Sequence, residues 1–137
     1  MVKILTHVAI TTKNMEETLK FYKEVLGFEK VFELANPDTK EPWIVYVQVC
    51  AGQFLELFYG GSRNHTQAEG EIGVNHLCFE VDDVEKTAKH ITDLGYQLDI
   101  LPCVGCDNNL QTWVRDPNGI RIELMQVSPD SPHAVFM

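Results

Sequence analysis

Residues 73–96, GVNHLCFEVDDVEKTAKHITDLGY, repeat a pattern that the chain has already run through at 4–28, ILTHVAITTKNMEETLKFYKEVLGF. With His76 laid on His7, an offset of 69 residues (76 − 7), each copy passes from an apolar strand through a polar turn into an amphipathic helix. Thr87 falls on Thr18 and Lys89 on Lys20, and one residue skipped late in the helix brings Leu94-Gly95-Tyr96 onto Leu26-Gly27-Phe28. Solenoid repeats recur every ~20–50 residues, so this longer offset describes two halves of one domain.

Working outward, residues 3–11 alternate as a strand, with Ile4, Thr6, Val8 and Ile10 on one face and Leu5, His7 and Ala9 on the other. Asn14 is placed to cap a helix with Glu17 as its capping-box partner, and Gly27 to stop it. The apolar stripe of that helix reads Met15, Thr18, Leu19, Tyr22 and Leu26. Phe28 to Leu34, Trp43 to Cys50 and Gln53 to Tyr59 follow as strands, with turns at Asn36-Pro37-Asp38 and Ala51-Gly52. Residues 60–73 are polar and read as a linker. The second half then gives a strand at 74–81, a helix capped by Asp82-Asp83 and stopped at Gly95, and strands at 96–101, 110–115 and 120–127. Asp116-Pro117-Asn118-Gly119 turns the last two, and residues 128–137 form an irregular tail. Module 1 thus spans about 3–59 and module 2 about 74–127, each β-α-β-β-β within a single domain. Two such modules predict an α+β fold whose sheets, mostly antiparallel, form a cup.

The chain has 137 residues, 45% of them hydrophobic and 23% charged, which is the composition of a soluble globular protein. A formal net charge of −9 without any Lys/Arg cluster argues against a nucleic-acid partner. No run of about 18 apolar residues suggests a membrane span, and the N-terminus lacks the order of a signal peptide, so a cytoplasmic protein is expected. Cys50 and Cys78 lie in apolar runs and read as small core residues. Cys103 and Cys106 form Cys-x-x-Cys without a following helix or a second pair, which favours a structural role over redox or zinc chemistry.

Glu56 interrupts an apolar strand on the face that carries Phe54 and Phe58, and Glu123 does the same between Ile122 and Leu124. Burying a carboxylate among phenyl rings is costly unless something pairs with it. The sequence distances are matched: 49 residues from His7 to Glu56 (56 − 7) and 47 from His76 to Glu123 (123 − 76). Each half therefore offers one imidazole from its first strand and one carboxylate from its last. His7, Glu56, His76 and Glu123 make a mixed N/O set suited to zinc, nickel, cobalt, manganese or iron(II). His65 in the linker and His133 in the tail are expected to be solvated, and His90, at the helix position of Phe21, to pack.

These segments resemble the glyoxalase/vicinal-oxygen-chelate superfamily, whose βαβββ modules work in pairs around a metal. The resemblance runs over about residues 3–127. Its carriers are His7-Val-Ala-Ile, Asn14-Met-Glu-Glu-Thr-Leu-Lys-Phe-Tyr, Leu26-Gly-Phe, Phe54-Leu-Glu-Leu, Asn75-His-Leu-Cys-Phe-Glu-Val, Arg115-Asp-Pro-Asn-Gly and Ile122-Glu-Leu. Within that superfamily a His-Glu-His-Glu set is similar to bacterial glyoxalase I. Methylmalonyl-CoA epimerases usually offer Gln at the position of Glu56, and the dioxygenase and fosfomycin-modifying branches use His-His-Glu.

The resemblance implies a lyase that holds nickel, cobalt or zinc and turns an α-ketoaldehyde–thiol hemithioacetal into an S-2-hydroxyacyl thiol through an enediolate. It gives Glu123 the role of base and Glu56 that of its near-symmetric partner; Trp113, Phe54 and Phe58 are candidate walls of a dry pocket, which ordinary core packing explains equally well. It also implies a homodimer, in which the metal site lies within one chain or is shared between two. Glyoxalase I enzymes commonly hold glutathione with an Arg four residues after the first ligand and an Asn four after the first Glu. Thr11 and Gly60 stand there, and Cys103-Val-Gly-Cys-Asp-Asn-Asn replaces a further contact segment, so the thiol carrier is open. Two other readings stay beside the lyase: a metal-free module that binds a small molecule, and a metalloenzyme of the same fold with another substrate.

Overall fold

A computed structural model describes residues 1–137, which fall into two compact units, 1–64 and 65–137. In the first, the elements are β1 (His7–Thr11), α1 (Met15–Leu26), β2 (Glu29–Ala35), β3 (Pro42–Cys50) and β4 (Gln53–Phe58). In the second they are β5 (Leu77–Glu80), α2 (Val84–Asp93), β6 (Leu98–Val104), β7 (Leu110–Arg115) and β8 (Arg121–Gln126). Each unit is thus a four-stranded mixed sheet with one helix, an α+β architecture. No helix is long and apolar enough to cross a membrane.

Strand order is β1-β4-β3-β2 in one sheet and β5-β8-β7-β6 in the other. Two of the three pairings in each are antiparallel, and in each the first strand lies parallel to the last. The helix between first and second strands makes this possible, because a parallel neighbour needs a long crossover while hairpins join the remaining three strands.

One face of each sheet is closed. Val45, Val47, Leu55 and Leu57 are buried in the first unit, and Val114, Ile122 and Leu124 in the second. Helix α2 packs against β6, β7 and β8 and contributes Val84, Ala88 and Ile91. Helix α1 begins at the Asn14 cap, whose side chain accepts the Glu17 N–H, and ends at Gly27 with φ 72°, the left-handed conformation that glycine reaches without strain. Its buried stripe is Met15, Thr18, Phe21, Tyr22 and Val25. This rotates the expected face: Leu19 and Leu26 lie at its margin, and Phe21, which packs edge-on to Tyr22 at 5.3 Å, is fully buried. Thr18 tolerates burial because its hydroxyl donates to the Asn14 carbonyl at 2.7 Å.

Several boundaries differ from the sequence reading. Strands β1 and β5 begin three or four residues late, since Ile4, Leu5 and Val74 are exposed and outside the sheets. Strand β6 begins at Leu98 because the Tyr96 N–H still bonds back to Ile91, and it continues through Pro102 and Cys103 with two register shifts. A proline cannot donate to the ladder, which fits such an irregular edge strand. All four cysteines are free and exposed, so Cys50 and Cys78 are not core residues. Alternation explains it: Cys78 lies opposite Glu123 in register, on the open face of its sheet.

The polar stretch 60–73 is anchored at both sides of the unit boundary. Gly61 donates to Thr12 in the first unit, and its Cα approaches so closely that an added Cβ would lie 2.8 Å from the Thr12 carbonyl. His65 donates through its backbone to Asn118 in the second unit.

Two stability outcomes follow. Leu57 is fully buried, so Leu57→Ala should cost about 2–5 kcal/mol in urea unfolding. The Asp83 carboxyl, which caps α2, is held below the ordinary carboxylate range first by the Lys86 side chain and then by the Lys86 backbone N–H. Its lowered folded pKa means the contribution is present at neutral pH and lost as pH falls through that value. Asp83→Asn should therefore lower the thermal midpoint at pH 7 and leave no difference from the parent protein in strong acid.

Candidate metal centre

The parallel pairing of first and last strands puts an imidazole and a carboxylate together in each unit. In the first, Ala9 stands opposite Glu56 and His7 opposite Phe54, so His7 and Glu56 are diagonal neighbours on one face. In the second, Cys78 stands opposite Glu123, and His76 lies two residues before Cys78, the same diagonal. The unequal spacing of 49 and 47 residues is absorbed in the connections.

His7 Nε2 is 3.4 Å from Glu56 Oε2, and His76 Nε2 is 3.1 Å from Glu123 Oε2. Both carboxylates are largely buried, with 13% of each side chain exposed, whereas the His7 and His76 side chains keep 44% and 32%. Two N/O ligands at right angles, each about 2.1 Å from a cation, stand ~3.0 Å apart. The His76–Glu123 pair is close to that separation and the His7–Glu56 pair is wider, and their N and O donor types are those a divalent metal takes. Within either unit, no third His, Cys, Asp or Glu completes a metal-holding group.

The surroundings of the two pairs differ. Tyr46 lies opposite Glu56 across β3 and β4 and donates its hydroxyl to Glu56 Oε1. That hydrogen bond, ahead of burial, holds the phenol above its ordinary pKa, because it favours the protonated form. Phe32 stacks on the Tyr46 ring at 4.3 Å, and Phe54 and His7 meet it edge-on at 6.2 and 6.3 Å.

In the second unit Trp113 is the residue opposite Glu123. Its indole meets the His76 ring at 4.7 Å and the Arg121 guanidinium at 4.6 Å, and its buried Nε1 has no hydrogen-bond partner. Asn75 Oδ1 lies 2.9 Å from His76 Nδ1 and accepts from Arg121 Nη1 at 3.4 Å. Because an arginine only donates, this sets the Asn75 oxygen toward both, and His76 turns Nε2 toward Glu123. Desolvation, and then the Glu123 carboxylate, push the Cys78 thiol up to about 12 even though the residue stands exposed.

The remaining histidines are placed apart from these pairs. His65 and His90 are exposed; the helix position of His90 faces outward and Ile91 takes the buried one, contrary to the expected packing. His133 is not freely solvated: its Nδ1 lies 2.9 Å from Asn109 Nδ2 and 3.5 Å from Asp107 Oδ2. Buried Asn109 also accepts from the Ser128 N–H, so one side chain ties the tail to the β6–β7 loop. Tyr46, Asn75 and Arg121 were missed by sequence reasoning. A polar residue on the strand paired with Glu56 was the available signal for Tyr46, but it required the register.

The hairpin that presents Trp113 and Glu123 is built on Asp116, 4% exposed, whose oxygens accept from the Asn118 and Ile120 N–H groups and from Asn118 Nδ2. Asp116→Ala should cost about 3 kcal/mol in urea unfolding, since hydrogen bonds to a charged group contribute ~1.5–3 kcal/mol each and these three share one carboxylate.

A family profile described as "Glyoxalase/Bleomycin resistance protein/Dioxygenase superfamily" matches residues 4–124. The chain is similar to "Methylmalonyl-CoA epimerase, mitochondrial" of Dictyostelium discoideum, 28% identical over 88% of this chain and 76% of that one. It is also similar to "Probable lactoylglutathione lyase" of Vibrio parahaemolyticus, 26% identical over 89% of each. A glyoxalase family protein from Enterococcus faecalis, solved as a crystal structure, superposes with a TM-score of 0.76 at 27% identity, over 90% of this chain and 97% of that one.

Proposed function

We propose that this chain, which belongs to the glyoxalase/bleomycin resistance protein/dioxygenase superfamily, is a metal-dependent lyase of glyoxalase I type. The observation that carries the reading is the duplicated pair: His7 beside Glu56 and His76 beside Glu123, on the same diagonal in both units. His7, Glu56, His76 and Glu123 would together hold one nickel, cobalt or zinc ion, in a homodimer or within one chain. A bound divalent cation supplies Lewis acidity, which makes a C–H beside a carbonyl more acidic and lowers the cost of the enediolate charge.

The rest belongs to the side chains. Glu123 takes the proton from one carbon of the hemithioacetal and returns it to the neighbouring carbon, as general base and then general acid. Glu56 and the two imidazoles hold position, and Trp113, Phe54 and Phe58 exclude water from that exchange. The substrate is a small α-ketoaldehyde adduct of a thiol. Because Thr11 and Gly60 stand where glutathione contacts are common, the carrier thiol need not be glutathione.

The epimerase among the similar proteins favours a second reading, in which the same base moves a proton beside a thioester carbonyl. The test is to strip metal with a chelator, add back nickel, cobalt or zinc, and follow S-lactoylglutathione formation from methylglyoxal and glutathione. Activity should disappear with the metal and return with it. Glu123→Gln should lower kcat by at least ~100-fold, the scale of general acid–base catalysis, while the circular dichroism spectrum is unchanged. Metal binding without lactoylglutathione, but with deuterium entering methylmalonyl-CoA from solvent, would replace the first reading by the second. A protein that binds no metal would be a binding module.

A further inference from the structure

The two carboxylates of the candidate centre are not held alike. Glu56 has one oxygen occupied by the Tyr46 hydroxyl and the other beside His7 Nε2. The phenol cannot swing freely, because its ring is stacked on Phe32 and meets Phe54 and His7 edge-on. Glu123 accepts from no hydroxyl of that kind. The residue opposite it is Trp113, whose indole nitrogen is buried and makes no hydrogen bond at all. On its other side the Cys78 thiol does hydrogen-bond to Glu123, but a thiol is a far weaker donor than a phenol.

We infer that Tyr46 is a positioning residue that keeps Glu56 as a stationary metal ligand and so leaves the proton transfer to Glu123. The inference rests on the metal reading above and deepens it. A carboxylate oxygen that accepts a hydrogen bond from a hydroxyl fixed by its ring contacts is restrained in direction, and that oxygen would have to release the donor before taking a proton from substrate. In the second unit the restraint falls on the imidazole, since Asn75, pinned by Arg121, accepts from His76 Nδ1. Each unit therefore secures one ligand of its pair, the carboxylate in one and the imidazole in the other. That asymmetry separates two chemically identical groups into a holder and a mover.

The experiment uses Tyr46→Phe, which removes only the hydroxyl, and Phe32→Leu, which removes the stacked ring and leaves the hydroxyl. Cobalt binding is measured by calorimetry and by the visible absorption of the bound ion, with the thermal midpoint of the metal-free protein as the control for folding. Tyr46→Phe should weaken cobalt binding about 10–100-fold, the usual range for losing a group that orients a ligand, and should shift the cobalt spectrum. Phe32→Leu should act in the same direction by a smaller factor. Turnover of Tyr46→Phe at low cobalt should fall with occupancy and recover as cobalt is raised, whereas Glu123→Gln should not recover. Unchanged affinity and spectrum in Tyr46→Phe would overturn the inference, as would turnover that added cobalt fails to restore. A parent protein that binds no cobalt overturns both this and the metal reading. Cobalt binding without turnover of the hemithioacetal overturns the reaction alone, and Tyr46 is then judged on affinity and spectrum.

Discussion

Parallel pairing between the first and last strands of each unit is the constraint on which the remaining features depend. It brings residues 49 and 47 positions apart in the chain into one register, with His7 diagonal to Glu56 and His76 diagonal to Glu123. The crossover helix permits that pairing, and the helix in turn is sealed against the apolar face by residues such as Tyr22 and Ile91. A one-residue slip in either parallel register would turn the histidine to the helix side and expose the apolar residues beside it. Hydrophobic burial on one face therefore specifies the geometry of the polar groups on the other.

A carboxylate so deeply placed must be satisfied, and the two units do so with different chemistry. A phenol hydroxyl serves Glu56, while Glu123 is left beside an indole, a thiol and an imidazole. The backbone pattern is duplicated but the side chains opposite the two acids have diverged, Tyr46 against Trp113. Duplication gives two equivalent positions, and the residues on the adjacent strands give each acid different surroundings. Similarity to an epimerase and to a lyase shows a frame common to the superfamily beneath proteins with different names, so the fold alone does not choose the reaction.

What the sequence by itself determined was the architecture and the four polar residues that break its apolar pattern. Helix α1 could be placed from Asn14, Glu17 and Gly27 because caps and stops are local interactions, complete within a few residues. Glu56 and Glu123 stood out because period-2 alternation makes an acid among apolar residues visible without knowledge of its partner. The cysteines were misjudged for the same reason in reverse: Cys78 looks apolar in sequence, and only the register with Glu123 shows that it faces outward.

Tertiary structure alone decided which side chain meets Glu56. The Ala51-Gly52 turn sets Cys50 opposite Gln53, and simple counting from that pair would put Val47 opposite Glu56 (50 + 53 − 56). A register shift between Gln48 and Cys50 moves the strand by one residue, so that Tyr46 takes the place and Val47 is turned into the core at 1% exposure. Such a shift is settled by the packing of both faces at once, which no local pattern encodes. For that reason the acids and imidazoles were legible in the chain, and the group that restrains one of them was not.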